Sequence, residues 1–133
     1  MARIVKNIEV EGRQAVVLFD TGAILTYVRE AFLSSAPRKP ATEPSRVALG
    51  ERSIKVRELC LVGGRIEGLA FDTDAAPVQE LGRADGHKLD VIIGALTMER
   101  WEIKLDPRAG RLTLRDSSGA NSLNSRYCDL IRL

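Results

Sequence analysis

The chain has 133 residues, with 20 lysines and arginines against 18 aspartates and glutamates, so its net charge is +2. Apolar residues make up 44% of it, which is enough for a packed core, and we expect one domain over residues 1–133. The basic residues are scattered rather than clustered, which argues against a nucleic-acid partner. No apolar stretch approaches the roughly 20 residues that span a bilayer, so we expect no membrane span.

The remaining composition narrows the possible chemistry. The chain has a single histidine, His87, so we expect no histidine-based metal site and no catalytic triad, and we predict no metal and no cofactor. Cys60 and Cys128 lie far apart and form no metal-binding pair. The N-terminus lacks the apolar segment of a signal peptide, so we expect reduced thiols and a cytoplasmic location.

The N-terminal residues predict a β-hairpin that ends at an acid. Residues 4–10 alternate apolar and polar side chains, Glu11-Gly12 is a turn signal, and residues 13–19 form the returning strand. Asp20 ends this strand and opens the sequence Asp20-Thr21-Gly22-Ala23. A carboxylate at the edge of a core must be hydrogen-bonded or paired, and glycine permits a tight turn beside it. The motif occurs once, so a catalytic pair of carboxylates would need a second chain.

The rest of the chain predicts short strands and one short helix. Many strands with turn signals between them, and almost no helix, indicate an all-β sandwich or barrel. The predicted segments are a β-rich run (24–28), a helical turn (29–33), a proline-containing loop (34–45), a hairpin (47–62) turning at 50–52, a Gly63-Gly64 turn, a strand (65–71), a turn-rich stretch (72–89), a buried run (91–94), a helix (95–101), a hairpin (102–106 and 110–115), a polar tail (116–125) and a C-terminal strand (126–133).

Two motifs together resemble a known family. Phe19-Asp20-Thr21-Gly22-Ala23 matches the catalytic loop of aspartic proteases, and Asp90-Val91-Ile92-Ile93-Gly94 looks like the apolar-glycine loop that braces it. With the order of predicted elements, residues 4–114 resemble a retropepsin, the half-size aspartic protease of retroviruses and of some cellular and bacterial proteins. The resemblance implies a closed, all-β barrel or sandwich with one short helix, assembled as a homodimer around a two-fold axis.

The resemblance also implies roles for individual residues. Asp20 from each subunit would form the catalytic pair, Thr21 would hydrogen-bond across the two-fold axis, and Gly22 would let the backbone approach the acid. A flap over residues 46–54, with Gly50 at its tip, would cover the substrate. Residues 3–5 and the C-terminal strand over 126–133 are the candidate interface strands, and the alternative for the C-terminal strand is pairing within its own subunit. The implied substrate-binding residues are Ala23, Ile24, Val47, Gly50, Ile54 and Ile92.

Three features differ from familiar viral members. Ile24 stands where several of them carry an acid, and the flap has one glycine beside the charged pair Glu51-Arg52. Residues 79–89 form a longer segment, which we interpret as a surface insertion.

Ala23 offers no hydroxyl to the acid pair, so we predict activity at mildly acidic pH rather than in strong acid.

Two functions remain open at this point. The first is an aspartic endopeptidase that hydrolyses a peptide or unfolded protein substrate through a water activated by the Asp20 pair. The alternative is a retropepsin-fold binding or assembly module with little or no proteolytic activity. The intact Asp20-Thr21-Gly22 sequence favours the enzyme, whereas the glycine-poor flap favours the module.

Overall fold

The computed structural model describes residues 2–114, which form eleven strands, one short 3-10 helix and one α-helix. The elements are β1 (Arg3–Val10), β2 (Arg13–Asp20), β3 (Tyr27–Arg29), a 3-10 helix (Glu30–Phe32), β4 (Arg38–Leu49), β5 (Arg52–Ile66), β6 (Leu69–Val78), β7 (Arg83–Ala84), β8 (His87–Lys88), β9 (Val91–Ile93), α1 (Ala95–Trp101), β10 (Lys104–Asp106) and β11 (Arg111–Thr113). The predicted all-β architecture with one short helix is therefore confirmed.

Seven strands form one sheet in the order β1-β2-β9-β3-β6-β5-β4. The strand β1 also pairs with β5, with Glu9 opposite Arg65 and Val10 opposite Gly64. This additional pairing closes six of the strands into a barrel, while β4 stays at the edge. Closure removes two exposed strand edges that would otherwise be open to pairing with other chains.

Both faces of the central strands are buried, which explains why their sequences are continuously apolar. In β2, Val17 and Phe19 point into a main core, whereas Leu18 points to the opposite face. The largest fully buried side chains of the main core are Phe19, Leu33, Ile66, Ile93, Val17, Val28, Val91 and Cys60. A second set of buried residues, here called the cleft cluster, comprises Leu18, Tyr27, Val56, Ala76, Val78, Leu81, Ala84, Leu89 and Ile92.

The prediction of a loop over residues 34–45 was wrong for residues 38–45, which belong to a strand. Residues 38–49 form β4, which contains Pro40 and Pro44. Proline has no amide proton to donate, so it is tolerated on an edge strand but not inside a sheet. The pairing of β4 with β5 also shifts register between Pro40 and Ser45, as expected where prolines interrupt a ladder.

The predicted turn at Gly63-Gly64 was also wrong, because β5 runs through both glycines to Ile66. A Cβ on Gly64 would lie 2.7 Å from the ring of Phe71 and 3.0 Å from the backbone oxygen of Glu9. Glycine is needed there because β5 passes close to its neighbours on both sides. The chain instead reverses at Glu67 and Gly68, both with positive φ, so the predicted strand over residues 65–71 is split between β5 and β6.

Residues 72–89 are more regular than predicted, since residues 72–78 complete β6 and residues 83–88 form the small β7–β8 hairpin. Residues 79–89 are also more than a surface insertion. Leu81, Ala84 and Leu89 are buried in the cleft cluster, so this segment supplies part of its apolar wall.

The remaining predictions divide between those that are confirmed and those outside the described residues. The first hairpin, the helical turn, the short β9, helix α1 and the β10–β11 hairpin all form where expected. The polar tail over residues 116–125, the predicted strand over 126–133 and Cys128 lie outside residues 2–114. Within residues 2–114, no helix has the length and apolar character to cross a membrane.

Candidate active site

Asp20 stands at the end of β2, on the face of the sheet that carries the cleft cluster. Side chains alternate along a strand, so Asp20 shares the face of Leu18, which packs against Ile92 in that cluster. The Asp20 side chain is 18% exposed. Its Oδ1 accepts a hydrogen bond from the Gly22 amide at 2.8 Å, and its backbone oxygen accepts one from the Ala23 amide at 3.1 Å. The tight turn therefore holds Oδ1 of a side chain that is mostly buried.

Among the described residues, Asp20 forms an ion pair with Arg3. It lies directly opposite Asp20 in the β1–β2 ladder, and its Nε is 3.8 Å from Asp20 Oδ2. Because Arg3 is 53% exposed, this pair contributes little to stability. Sequence reasoning missed Arg3, although the register of the predicted hairpin would have placed it there.

Thr21 forms hydrogen bonds with Ala2 of its own chain. Its amide donates to the Ala2 backbone oxygen at 3.0 Å, and its hydroxyl accepts from the Ala2 amide at 2.8 Å. These bonds extend the β1–β2 ladder by one residue beyond Asp20. The hydrogen bond of Thr21 across a two-fold axis stays a prediction.

The loop that ends at Gly94 packs directly on the acid turn. The Ala95 amide donates to the Ala23 oxygen at 2.7 Å, and the Leu96 amide donates to the Ile24 oxygen at 3.2 Å. A Cβ on Gly94 would collide with the Leu25 backbone oxygen and lie 2.8 Å from the Ile24 oxygen. Two segments about seventy residues apart are thus joined backbone to backbone, which fixes the turn that carries Asp20.

A chain of three buried threonine hydroxyls supports this junction. The Gly94 amide donates to Thr26 Oγ1 at 3.1 Å, and Thr97 Oγ1 lies 2.6 Å from the hydroxyls of both Thr26 and Thr73. The Thr73 hydroxyl donates to the Asp74 backbone oxygen, so the protons run in one direction from Thr26 through Thr97 to Thr73. Sequence reasoning missed this network. The available signal was Thr97 itself, a polar residue within the apolar start of α1.

Replacing Thr97 with valine should destabilise the protein markedly. Valine keeps the shape of threonine but leaves the buried Thr26 hydroxyl without its acceptor and Thr73 without its donor. An unsatisfied buried polar group costs about 1–3 kcal/mol, so we expect a loss in that range from the free energy of unfolding in urea. Thr113→Val, at an exposed strand position, is the matched control and should change it little. Equal effects of the two substitutions would contradict a supporting role for the network.

Asp90, directly before β9, links the start of that strand to Val16 on β2 and to Arg29 on β3. Its Oδ2 accepts from the Val16 amide at 2.9 Å, and its Oδ1 accepts from Arg29 Nη2 at 2.8 Å and from Nε at 3.1 Å. Both side chains are mostly buried, and two guanidinium nitrogens share one carboxylate oxygen while the Val16 amide holds the other, which fixes the orientation of Asp90. Asp90 thus has a structural role at the start of the segment that places Ile92 beside Asp20.

The predicted substrate-binding residues separate into two groups. Ile92 belongs to the cleft cluster, and Ala23, Val47 and Ile54 pack against it, so these four share one apolar surface. Ile24 instead is 67% exposed. Gly50 lies in the flap turn with a φ of +63° and with open space where a side chain would be. All four residues therefore belong to or border the cleft cluster, two from the flap and two from the segments next to Asp20, here called the floor, whereas Ile24 and Gly50 are exposed.

Comparison with known proteins supports the fold. No protein-family profile and no curated protein matches the sequence. Among solved structures, the chain is similar to the EIAV protease bound to the inhibitor HBY-793, with a TM-score of 0.57, 15% identity, and coverage of 79% of this chain and 93% of that one. It is also similar to the retroviral protease-like domain of Ddi1 from Leishmania major, with a TM-score of 0.55, 12% identity, and coverage of 86% and 85%.

A third similar structure is a foamy viral protease–reverse transcriptase in complex with an RNA/DNA hybrid. The TM-score is 0.53 at 15% identity, and the match covers 74% of this chain but only 12% of the larger one. At these identities the likeness concerns the fold alone. The chain adopts a retropepsin-like fold, and its activity has to be argued from its own residues.

Proposed function

We propose that this protein is an aspartic endopeptidase in which two copies of the chain each supply one Asp20. The observation that carries the proposal is the placement of Asp20, whose side chain is 18% exposed on the face that carries the cleft cluster and whose Oδ1 is held by the Gly22 amide. The retropepsin-like fold supports the same conclusion. Because the described residues contain one such acid turn, the pair requires a second chain, and a two-fold axis satisfies this with identical surfaces.

The chemistry follows from two carboxylates that share one proton. Like charges in close contact disfavour double ionisation, so one Asp20 is ionised and the partner's Asp20 is protonated. The ionised group takes a proton from water as the water oxygen attacks the peptide carbonyl, and the protonated group donates to the carbonyl oxygen. The C–N bond then breaks as the nitrogen receives a proton from one carboxyl group, while a hydroxyl of the tetrahedral intermediate gives its proton to the other, which restores the singly protonated pair.

The surroundings of Asp20 suit this reaction. Val47 and Ile54 on the flap and Ala23 on the floor all pack against the cluster that contains Ile92, so substrate bound under the flap would be shielded from water. Electrostatic interactions strengthen when water is excluded. An extended peptide could also pair its backbone with the flap strands, as peptides do at sheet edges.

A peptide with a hydroxyl-bearing tetrahedral carbon in place of the scissile carbonyl tests the proposal directly. Such a group mimics the tetrahedral intermediate and should bind between the two carboxylates. We expect it to raise the Tm of the wild-type protein and to have a much smaller effect on Asp20→Asn. A peptide of the same sequence with an ordinary amide is the control for binding that does not involve the acid pair. Equal increases in Tm for the wild-type protein and for Asp20→Asn would contradict the proposal.

One observation favours the alternative, a binding or assembly module. In the single chain the flap lies on its own body, with Val47, Leu49 and Ile54 packed on the cleft cluster. Arg52 Nη2 also donates to the Glu80 backbone oxygen at 2.8 Å, which links the flap turn to residues 79–82. A flap held in this way restricts access to the floor, and a module without catalytic turnover would have no need to release it.

Arg52→Ala should therefore loosen the flap. Losing one exposed hydrogen bond of about 1 kcal/mol raises the local opening equilibrium severalfold, so amide hydrogen exchange over residues 47–54 should accelerate about two- to tenfold. Arg46→Ala is the matched control, since Arg46 lies on the same hairpin and has no ion pair among the described residues. Unchanged exchange in Arg52→Ala would show that apolar packing alone holds the flap.

A further inference from the structure

The hairpin formed by β4 and β5 carries a concentration of positive charge. Residues 38–57 hold six of the chain's 20 basic residues and only two of its 18 acidic residues. The basic residues are separated along the sequence, so no run of charge marks them. The pairing of the two strands brings several of them onto one surface, and the structure therefore shows a cluster that the sequence does not.

Arg46 and Lys55 lie directly opposite each other on the outer face of the flap. They are partners in the β4–β5 ladder, and their neighbours Val47 and Ile54 pack on the cleft cluster. Because side chains alternate along a strand, Arg46 and Lys55 point away from the cleft. Like charges at directly opposite positions are destabilising, and neither side chain forms an ion pair within residues 2–114. The repulsion between these two charges is therefore not compensated.

Arg57 and Lys39 extend this positive surface along the hairpin. Arg57 follows Lys55 by two positions, and Lys39 lies opposite Leu59, two positions further along β5. Residues two apart on a strand share a face and are spaced by about 6.6 Å. Arg57 and Lys39 also form no ion pair among the described residues. We call this surface the basic face and define it by its four exposed members, Lys39, Arg46, Lys55 and Arg57.

Three acidic residues lie near the basic face, and none of them forms an ion pair with it. Glu51 is in the flap turn, and Glu43 is in the irregular part of the β4–β5 pairing. Asp74 lies opposite Leu61 in the β5–β6 ladder, beyond the end of the basic face. The positive charges of the basic face therefore have no fixed partner within residues 2–114 and are accessible to another molecule.

The spacing of the basic face suits an extended acidic peptide. An extended peptide presents alternate side chains on one face at a repeat of about 6.6 Å, which is also the spacing of Lys55 and Arg57 along β5. Acids at every second position would therefore meet successive basic side chains. A single-stranded nucleic acid fits less well, because it depends on bases that stack on aromatic side chains, and the basic face has none.

We propose that the basic face is a docking surface for an acidic, extended segment of a partner protein, which binds on the outside of the flap. Opposite charges speed the encounter of two such surfaces and select against partners of the wrong charge. The basic face lies on the other side of the hairpin from Val47 and Ile54, so the docked segment occupies neither the cleft nor the surroundings of Asp20. The inference goes beyond the proposed protease and applies equally to a binding or assembly module.

An NMR titration of the isotope-labelled protein with a short peptide that alternates glutamate and serine tests this inference. In low-salt buffer we expect changes in amide chemical shift that centre on Lys39 and on residues 46–57. A peptide that alternates glutamine and serine has the same spacing without charge and should cause no such changes. Raising the salt to physiological ionic strength should weaken binding of the acidic peptide severalfold, because exposed charges are screened.

Removing the opposed pair of charges should weaken this binding. Arg46→Gln combined with Lys55→Gln should raise the Kd for the acidic peptide about three- to tenfold, since exposed ion pairs each contribute modestly. The matched control is Lys88→Gln combined with Arg108→Gln, which removes the same charge from exposed positions outside the flap and should keep the wild-type Kd. Neither double variant should lower the Tm appreciably, because all four side chains are exposed and the flap variant loses a repulsion.

The possible results decide the inference separately from the proposed function. Equal weakening in the two double variants would mean attraction to net charge alone and would overturn the docking surface, as would shift changes centred on the cleft or no binding in low salt. Equal binding of a single-stranded oligonucleotide of the same charge would overturn the assignment to an acidic peptide. Asp20→Asn should bind the acidic peptide as the wild-type protein does. A protein that binds it but cleaves no substrate keeps the docking surface, and a protease that does not bind it loses only this inference.

Discussion

Asp20→Asn is expected to abolish peptide cleavage and to leave the fold intact. Asparagine has the shape of aspartate and keeps an oxygen that can accept the Gly22 amide, so the turn should persist. It cannot take a proton from water, and loss of a general base or acid lowers rates by about 10²- to 10⁴-fold. The measurement is kcat/KM on an unfolded protein or peptide substrate from mildly acidic to neutral pH, with matched circular dichroism spectra.

Asp85→Asn provides the control for this substitution. Asp85 is an exposed carboxylate in the β7–β8 turn, and its side chain is not part of the acid turn. It should retain wild-type cleavage. If Asp20→Asn and the wild-type protein cleave equally well, the activity belongs to another site or to a contaminant. If neither cleaves any substrate, the binding or assembly module becomes the better account.

Gly94→Ala should be among the most destabilising single substitutions in the described residues. Gly94 has φ −94° and ψ −178°, an extended conformation that alanine adopts without strain. The cost arises instead from collision of the new Cβ with the Leu25 oxygen and with the Leu25 carbon at 2.7 Å, both backbone atoms that cannot rotate away. We expect a loss of about 3 kcal/mol or more in the free energy of unfolding, together with displacement of the Asp20 turn.

Gly86→Ala separates collision from backbone strain. Gly86 has a φ of +79° but open space around it, so alanine there should cost only about 1–2 kcal/mol. Urea unfolding of both variants gives the comparison. Equal destabilisation of the two would mean that the backbone around residues 24–25 moves aside easily, which would contradict the close packing of the two loops.

The parts of the structure that local sequence patterns determine were predictable. The alternation of residues 4–10, the Glu11-Gly12 turn and the apolar run before Asp20 are short-range signals, and they predict the hairpin and its acid turn. The apolar run before Gly94 is another such signal. The resemblance to retropepsins joined these two local motifs, and the backbone contacts between Ala23 and Ala95 bring them together in the structure.

The errors came from residues whose roles depend on distant neighbours. Gly63-Gly64 has the composition of a turn, yet the close approach of β1 and Phe71 makes it part of a strand. Pro40 is tolerated in a strand only because β4 is at the edge of the sheet. The Thr26–Thr97–Thr73 network joins residues up to 71 positions apart, and no local pattern predicts such pairing.

The candidate site was predictable to a similar degree. Ala23, Val47 and Ile54 pack against the cluster that contains Ile92, and their role in binding substrate stays a prediction. The placement of Arg3 and the Arg52 link to Glu80 follow from register and packing in this chain, which a resemblance at the level of motifs does not contain.

Mixing wild-type and Asp20→Asn chains tests the central claim most directly, since it asks whether one active site needs Asp20 from two chains. The chains are mixed at constant total concentration and allowed to exchange before cleavage is measured. If mixed dimers are inactive, activity falls with the square of the wild-type fraction, to about one quarter in an equal mixture. A linear fall, to about one half, would show that each chain acts alone and would contradict the shared Asp20 pair.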